Sequence, residues 1–145
     1  MQDLQTQGNT FYNAGVMVIW DRKVLVVMPI DRMFYLIPGG GIEKDESPIE
    51  AALRELEEEV GIELTPEDVA DLGVFQAKSG KGSPKQFVNV HTYLYLPDSE
   101  PVLEFRDGEV KSIKWVDSTN FDSIPIGNVL KDQLIPLLKN QGIID

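Results

Sequence analysis

Apolar residues form three short runs in the first quarter of the chain. "AGVMVIW" (14–20) and "KVLVVM" (23–28) are rich in β-branched residues and are separated by Asp21-Arg22. Two such runs around a pair of polar residues predict a hairpin of largely buried strands. The third run, "FYLI" (34–37), ends at a proline and three glycines, and we expect a further strand there.

Later in the chain the pattern again indicates strands. "GVFQAK" (73–78) and "QFVNVHTYLYL" (86–96) flank a polar loop at residues 79–85, and "EVKSIKWVD" (109–117) alternates apolar and polar positions. The tail at 126–140 instead has helical spacing, through Val129, Leu130, Gln133, Leu134, Leu137 and Leu138. Pro136 interrupts that spacing, and an interior proline costs about 3 kcal/mol, so we expect a kink or two shorter helices.

The clearest helix signal lies between Ser47 and Gly61. Ser47, Pro48 and Glu50 match an N-cap, a first helical position and the closing residue of a capping box, and Gly61 suits the left-handed position after a helix. One apolar stripe predicts the face that packs into the core, formed by Ile49, Ala52, Leu53, Leu56 and Val60.

Several strands around at least two helices predict a mixed α/β layered fold. The 145 residues fit one domain, 1–145, because a chain of this length buries roughly two thirds of its unfolded surface around a single core.

Charge and composition narrow the chemistry. The formal net charge is −11, which argues against stable binding to nucleic acid or to an anionic membrane. The chain has no cysteine and one histidine, which excludes thiol catalysis and zinc sites built from Cys or His. Neither the polar N-terminal residues nor the longest apolar run, 14–20, predicts a signal peptide or a membrane span, so we expect a soluble, cytoplasmic protein.

Acidic residues crowd the end of the predicted helix, where the helix dipole already places negative charge. At about 100° per residue, Glu55, Glu58 and Glu59 are neighbours beside the apolar stripe, whereas Glu57 points elsewhere. On these residues alone a solvated helix face is one interpretation. The other is a site for a hard divalent cation, Mg²⁺ or Mn²⁺, because the only clustered donors are carboxylate oxygens.

The upstream residues favour the second interpretation. The segment "GGIEKDESPIEAALRELEEEVGI" has Gly40, five residues, Glu46, seven residues, then Arg54-Glu55-Leu56, one residue, Glu58-Glu59, one residue and Gly61-Ile62. This segment, residues 40–62, closely resembles the Nudix box of the Nudix (MutT-like) hydrolases. The resemblance implies the family's α/β/α sandwich, with a mixed β-sheet between helices, and cleavage of a nucleoside diphosphate linked to a group X.

Carried over to this chain, the resemblance also implies roles for individual residues. Glu55, Glu58 and Glu59 would be the metal ligands, Arg54 would orient the loop and helix by pairing with Glu46 or Glu58, and Gly40 would let the backbone pass close to the phosphates. For the general base, Glu55 is the first hypothesis, and Glu109 and Glu104, which flank a turn, are the loop alternatives.

Substrate contacts are predicted from weaker patterns. Lys78, Lys81 and Lys85 form a basic island in or beside the 79–85 loop, with Arg22, Lys23 and Arg32 as lesser alternatives for a terminal phosphate. Aromatic residues that could stack on a base are Phe34, Tyr35, Phe87 and Tyr93. We expect a structural role for His91, while Asn89 on the same strand face could contact a base edge.

These observations predict a Mg²⁺-dependent pyrophosphohydrolase acting on a small-molecule nucleotide. (Deoxy)nucleoside triphosphates come slightly ahead of ADP-ribose, nucleotide sugars and dinucleoside polyphosphates. A non-catalytic, metal-dependent nucleotide sensor is the alternative from another class. Because relatives in the resembled family are often dimers, a homodimer is also among the expectations.

Overall fold

A computed structural model describes residues 6–7, 10–78 and 87–145 of the chain. These residues form one mixed sheet and two α-helices, with 3₁₀ turns at Pro66–Asp68 and Phe121–Ser123. The strands are β1 (Thr6–Gln7), β2 (Thr10–Trp20), β3 (Lys23–Pro29), β4 (Gly39–Gly41), β5 (Ala70–Lys78), β6 (Phe87–Tyr95) and β7 (Val110–Val116), and the helices are α1 (Pro48–Val60) and α2 (Ile135–Asn140). The predicted mixed α/β sandwich is confirmed.

Strand β2 lies at the centre of the sheet, whose order is β5-β6-β2-β3-β7. It pairs with β6 in parallel along Thr10–Val18, but with β3 only at Ile19 and Trp20. The three residues of β4 pair with Asn13–Gly15 of β2, which also pair with β6. This arrangement brings the glycines of β4 next to the end of α1 that carries the acidic residues.

The predicted hairpin is confirmed, and its two-residue turn has left-handed backbone without any glycine. Asp21 and Arg22 both adopt left-handed conformations, with φ of 51° and 58°. Positive φ at both central residues is the type I′ geometry, whose twist matches that of the flanking strands. Arg22 is held there because it donates hydrogen bonds to Asp145 Oδ1 (2.6 Å) and to the carbonyl of Gly142 (2.9 Å).

The segment 34–37 does not form the predicted strand. Leu36 exchanges both backbone hydrogen bonds with Val27 at 2.8 Å, but the Tyr35 N–H donates to the carbonyl of Pro125. Because consecutive residues use different partners and Pro38 has no N–H, only single-residue bridges form.

Two apolar cores cover the two faces of the sheet. The first packs α1 onto β2 and β3, through residues such as Val16, Leu25, Leu56 and Val60. The second lies on the other face. There Met17 and Val26 of the sheet pack with Leu134 and Leu138 of the C-terminal helical segment, residues 128–140. No helix within the described ranges is long and apolar enough to span a membrane.

The C-terminal helical segment accommodates Pro136 with a change of helix type. Residues Leu130–Leu134 form a π-helical turn, and α2 begins directly after it. Pro136 has no N–H to donate, and its ring would press on the carbonyl four residues earlier. The turn before it widens instead, and the Ile135 N–H donates to the carbonyl of Leu130, five residues back.

Candidate active site

Helix α1 begins and ends where its sequence predicts. Ser47 Oγ accepts a hydrogen bond from the Glu50 N–H (3.2 Å), and the Glu50 carboxylate accepts one from the Ser47 N–H (3.0 Å). At the other end Gly61 has a φ of 76°, and its N–H donates to the carbonyl of Glu57. These local contacts set the rotation of the helix and therefore the direction in which its glutamates point.

Arg54 joins α1 to the loop before it. Its Nε donates to Glu46 Oε2 (2.6 Å) and its Nη2 to Glu46 Oε1 (3.0 Å), a bidentate pair. This hydrogen bonding lowers the pKa of Glu46. Arg54 also donates to Glu55 (3.0 Å), to Glu58 (3.2 Å) and to the carbonyl of Gly41 (3.2 Å). Both of the ion pairs predicted for Arg54 are therefore present.

Glu59 is a buried carboxylate with few donors. The residue is only 4% exposed, and its oxygens accept long hydrogen bonds from the Gly39 N–H, at 3.2 and 3.4 Å. Burial, followed by the negative charge of Glu55, raises the pKa of Glu59 to about 9, while the Gly39 N–H opposes the shift. Smaller contributions come from Glu109 and Glu58.

Glu55 lies beside Glu59 and closer to the β4 backbone. Its side chain is 17% exposed, and burial raises its pKa against the opposing charge and hydrogen bond of Arg54. A Cβ placed on Gly40 would lie 2.6 Å from Glu55 Oε1, well inside contact distance. Glycine at position 40 therefore leaves the space that the Glu55 carboxylate occupies, and a side chain there would displace this carboxylate.

The donor chemistry of this cluster fits a hard divalent cation. Glu55 and Glu59 are neighbouring oxygen donors, Glu59 is buried with only long hydrogen bonds, and a cation would relieve the repulsion between them. Glu58 is more exposed, at 45%, and is held by Arg54. Within residues 10–78 and 87–145, no three acidic or histidine side chains are already gathered as metal ligands. Side-chain rotation would be needed to bring Glu58 to the other two.

A cavity of about 560 Å³ opens beside these carboxylates. Glu55, Glu59 and Glu109, here called its acidic end, line it together with apolar residues that include Phe34, Val88 and Leu134. The volume falls within the range of small-molecule sites, and a mostly apolar wall with a few convergent polar groups is their usual composition.

The structure brings together some of the sequence-predicted residues and separates others. Besides Glu55, Glu59 and Glu109, the predicted residues Gly40, Phe34 and Lys78 line the cavity. Glu104 does not: it pairs with Arg106 (2.7 Å), and its side chain lies against Gly61 at the end of α1.

On strand β6 the predicted residues lie away from the cavity. Val88 and Val90 line it, so alternation along the strand places Asn89 on the other face, where Gln76 donates to its Oδ1 (2.8 Å). His91 hydrogen-bonds to Asp71 (2.8 Å) and stacks on Tyr93. Lys81 and Lys85 lie outside the described residues.

Sequence reasoning missed two cavity residues, Asn13 and Asn128. Asn13 lies on β2, pairs with Gly41 and lines the cavity. A carboxamide directly before the buried apolar run 14–20 was the available signal. Asn128 follows Gly127 at the start of the C-terminal helical segment. Arg32, considered only as a lesser phosphate contact, also lines the cavity.

Sequence comparison finds one matching protein family and several related hydrolases. The family model for the NUDIX domain matches residues 10–138. The m7GpppN-mRNA hydrolase NUDT17 of Danio rerio is 33% identical over 93 residues, which is 56% of this chain and 31% of that protein. An uncharacterised Nudix hydrolase of Bacillus subtilis, YvcI, is 24% identical over 124 residues, which is 86% of this chain and 77% of that protein.

A solved structure gives a similar result. The bifunctional NMN adenylyltransferase/ADP ribose pyrophosphatase of Francisella tularensis superposes with a TM-score of 0.69 at 25% identity. The alignment covers 95% of this chain and 43% of that one. The chain thus spans less than half of that bifunctional protein and about a third of the zebrafish hydrolase.

Proposed function

The chain belongs to the Nudix hydrolase family, and we propose that it is a Mg²⁺-dependent pyrophosphohydrolase that cleaves a nucleoside diphosphate linked to X into a nucleoside monophosphate and phosphorylated X. The observation that carries the proposal is the position of Glu55 and Glu59. Glu59 is buried and Glu55 is largely shielded from solvent, both have raised pKa values, and both line the cavity together with apolar residues such as Phe34. A diphosphate would lie at the acidic end, with the base against Phe34.

The acidic end requires a cation before it can accept a phosphate, since the phosphates and the glutamates would otherwise repel one another. Glu55 and Glu59, joined by Glu58, would hold Mg²⁺, which would neutralise charge on the diphosphate and align the attacking water. Arg54 keeps Glu46 and the Gly41 backbone fixed relative to α1, so the glutamates stay at a constant distance from the glycines of β4.

Two residues are alternatives for the general base, Glu55 and Glu109. Glu55 is itself one of the proposed metal ligands, and its raised pKa means that it binds a proton more readily than an ordinary glutamate. Glu109 lines the cavity from the loop that precedes β7, and its charge raises the pKa values of Glu55 and Glu59. Either carboxylate could take the proton from water as the water oxygen attacks one phosphorus of the diphosphate and the oxygen that bridges the two phosphates leaves on the other, which gives the nucleoside monophosphate and phosphorylated X.

For the identity of X, two substrate classes stand ahead of the others. Nucleoside triphosphates come first, because Arg32 and Lys78 line the same cavity and provide cations for a terminal phosphate. ADP-ribose comes second, supported by the similarity to the ADP ribose pyrophosphatase of Francisella tularensis.

A nucleotide panel with Mg²⁺, with the products identified by mass, tests the proposal and separates the two classes. A triphosphate substrate should give a monophosphate and pyrophosphate, whereas ADP-ribose should give AMP and ribose 5-phosphate. Reactions with EDTA in place of Mg²⁺ are the control and should show no turnover. Tight Mg²⁺-dependent nucleotide binding with no turnover of any compound would refute the enzyme and support the sensor.

A further inference from the structure

Among the described residues, β5 is an edge strand of the sheet, and two side-chain amides from the C-terminal helical segment bind its outer side. Asn128 Nδ2 donates to the carbonyl of Lys78 (3.1 Å), and Gln133 Nε2 donates to the carbonyl of Gln76. These carbonyls are two residues apart, so they point the same way, about 7 Å apart along the strand. Here the amides take the place of a neighbouring strand.

The π-helical turn explains how both amides reach one strand edge. Asn128 lies two residues before the π turn and Gln133 lies within it, and the wider turn brings residues that are five positions apart closer to one face. In a regular α-helix the same two residues would lie about 140° apart around the axis. Pro136 forces the π turn, so the proline sets the rotation that Gln133 needs.

These two hydrogen bonds join two walls of the cavity described above. Asn128, Leu130 and Leu134 line it from the helical segment, and Lys78 lines it from the end of β5. Gln133 itself does not line the cavity. The two amides therefore tie the helical wall of the cavity to its strand wall at a fixed separation.

We propose that Gln133, together with Asn128 and the π turn set by Pro136, is a positioning device that fixes the width of the nucleotide cavity and so governs substrate binding rather than the hydrolytic step. The proposal rests on the function proposed above. It differs from a role in folding alone, because a folding role predicts equal losses of active enzyme at all substrate concentrations. A positioning role raises KM and leaves kcat close to the wild-type value.

The test compares KM and kcat of the full chain with the best substrate from the panel. Gln133→Glu keeps the size of the side chain but removes both N–H donors and brings negative charge to a carbonyl. We expect KM to rise about fivefold or more, the effect of losing one hydrogen bond, with kcat within about twofold. Gln133→Lys restores a donor and should recover most of the loss. Gln141→Glu, the same substitution at an exposed position, is the matched control.

Pro136→Ala separates positioning from stability. The substitution favours an ordinary α-helix, so the melting temperature should stay the same or rise, while KM should rise as in Gln133→Glu because Gln133 turns away from β5. Wild-type KM values in both Gln133→Glu and Pro136→Ala would overturn the positioning role while leaving the proposed function standing. Equal losses in Gln133→Glu and Gln133→Lys would also overturn it. Absence of turnover by the wild-type protein would remove the proposed function and the positioning role together.

Discussion

Replacement of Glu59 by glutamine should make the protein more stable at neutral pH, and the gain should grow with pH. Glu59 has a pKa of about 9 in the folded protein, against an ordinary value of 4.5. Between these values the folded state keeps a proton that the unfolded chain releases. The free energy of unfolding therefore falls as pH rises through this window. Glutamine cannot ionise, so Glu59→Gln removes this loss.

The size of the effect follows from the two pKa values. Each unit of separation is worth about 1.4 kcal/mol, so between pH 5.0 and pH 7.5 the wild type should lose about 3 kcal/mol relative to Glu59→Gln. For a domain of this size the difference corresponds to a relative change in melting temperature of about 6–12 °C. Turnover should fall by more than about hundredfold, because a ligand of the proposed metal ion is lost.

Urea unfolding at both pH values, in EDTA, measures the free energy directly. Glu57→Gln removes the same charge from an exposed position on the same helix and is the matched control. Its difference from the wild type should not change with pH. A Glu59→Gln difference that stays constant between pH 5.0 and 7.5 would refute the inferred burial of this carboxylate. At pH 7.5, adding Mg²⁺ should stabilise the wild type more than Glu59→Gln, and equal stabilisation would argue against Glu59 as a ligand.

Three further substitutions test other parts of the site. Gly40→Ala places a methyl group 2.6 Å from Glu55 Oε1. The Glu55 carboxylate must then shift, and kcat should fall by at least about tenfold, since misplaced groups at a reaction centre cost that much or more; wild-type kcat would show that the exact position of this carboxylate does not matter. Glu109→Gln should lower kcat by about 10²-fold or more if Glu109 is the base, whereas Glu104→Gln, outside the cavity, should stay near the wild-type value; unchanged kcat in both would leave Glu55 as the base. Ser47→Ala removes the N-cap of α1 and should lower the free energy of unfolding by about 1 kcal/mol. Thermal denaturation followed by circular dichroism should show this loss as a fall of about 2–4 °C in melting temperature. No change would mean that water replaces the hydroxyl at no cost.

Helix α1 and its caps were predictable because the contacts that define them are local. Ser47 and Glu50 are three residues apart, and the apolar stripe is a property of the helix alone. The hairpin at Asp21-Arg22 was predictable for the same reason, since both strands adjoin the turn. The Nudix resemblance rested on one continuous segment, and the matching family model extends over residues 10–138.

Predictions that depended on the relation between distant segments were less successful. Segment 34–37 has a strand-like composition but divides its backbone hydrogen bonds between Val27 and Pro125. Glu104 and Glu109 were equivalent in sequence, yet only Glu109 lines the cavity. Pro136 predicted a break in the helix, but the sequence did not indicate that this break would turn Gln133 toward β5.

The sequence by itself determined the acidic helix, its boundaries and the residues that face the same side, because helical periodicity and capping act within a few positions of the chain. Only the tertiary structure decided that Glu59 is buried beside β4 with Glu55 next to it, and that Asn13 and Asn128 line one cavity with them. The burial that raises the pKa values of these carboxylates comes from strands far away in sequence. A pattern of residues can indicate the ligands of a site, but desolvation depends on what the fold packs around them.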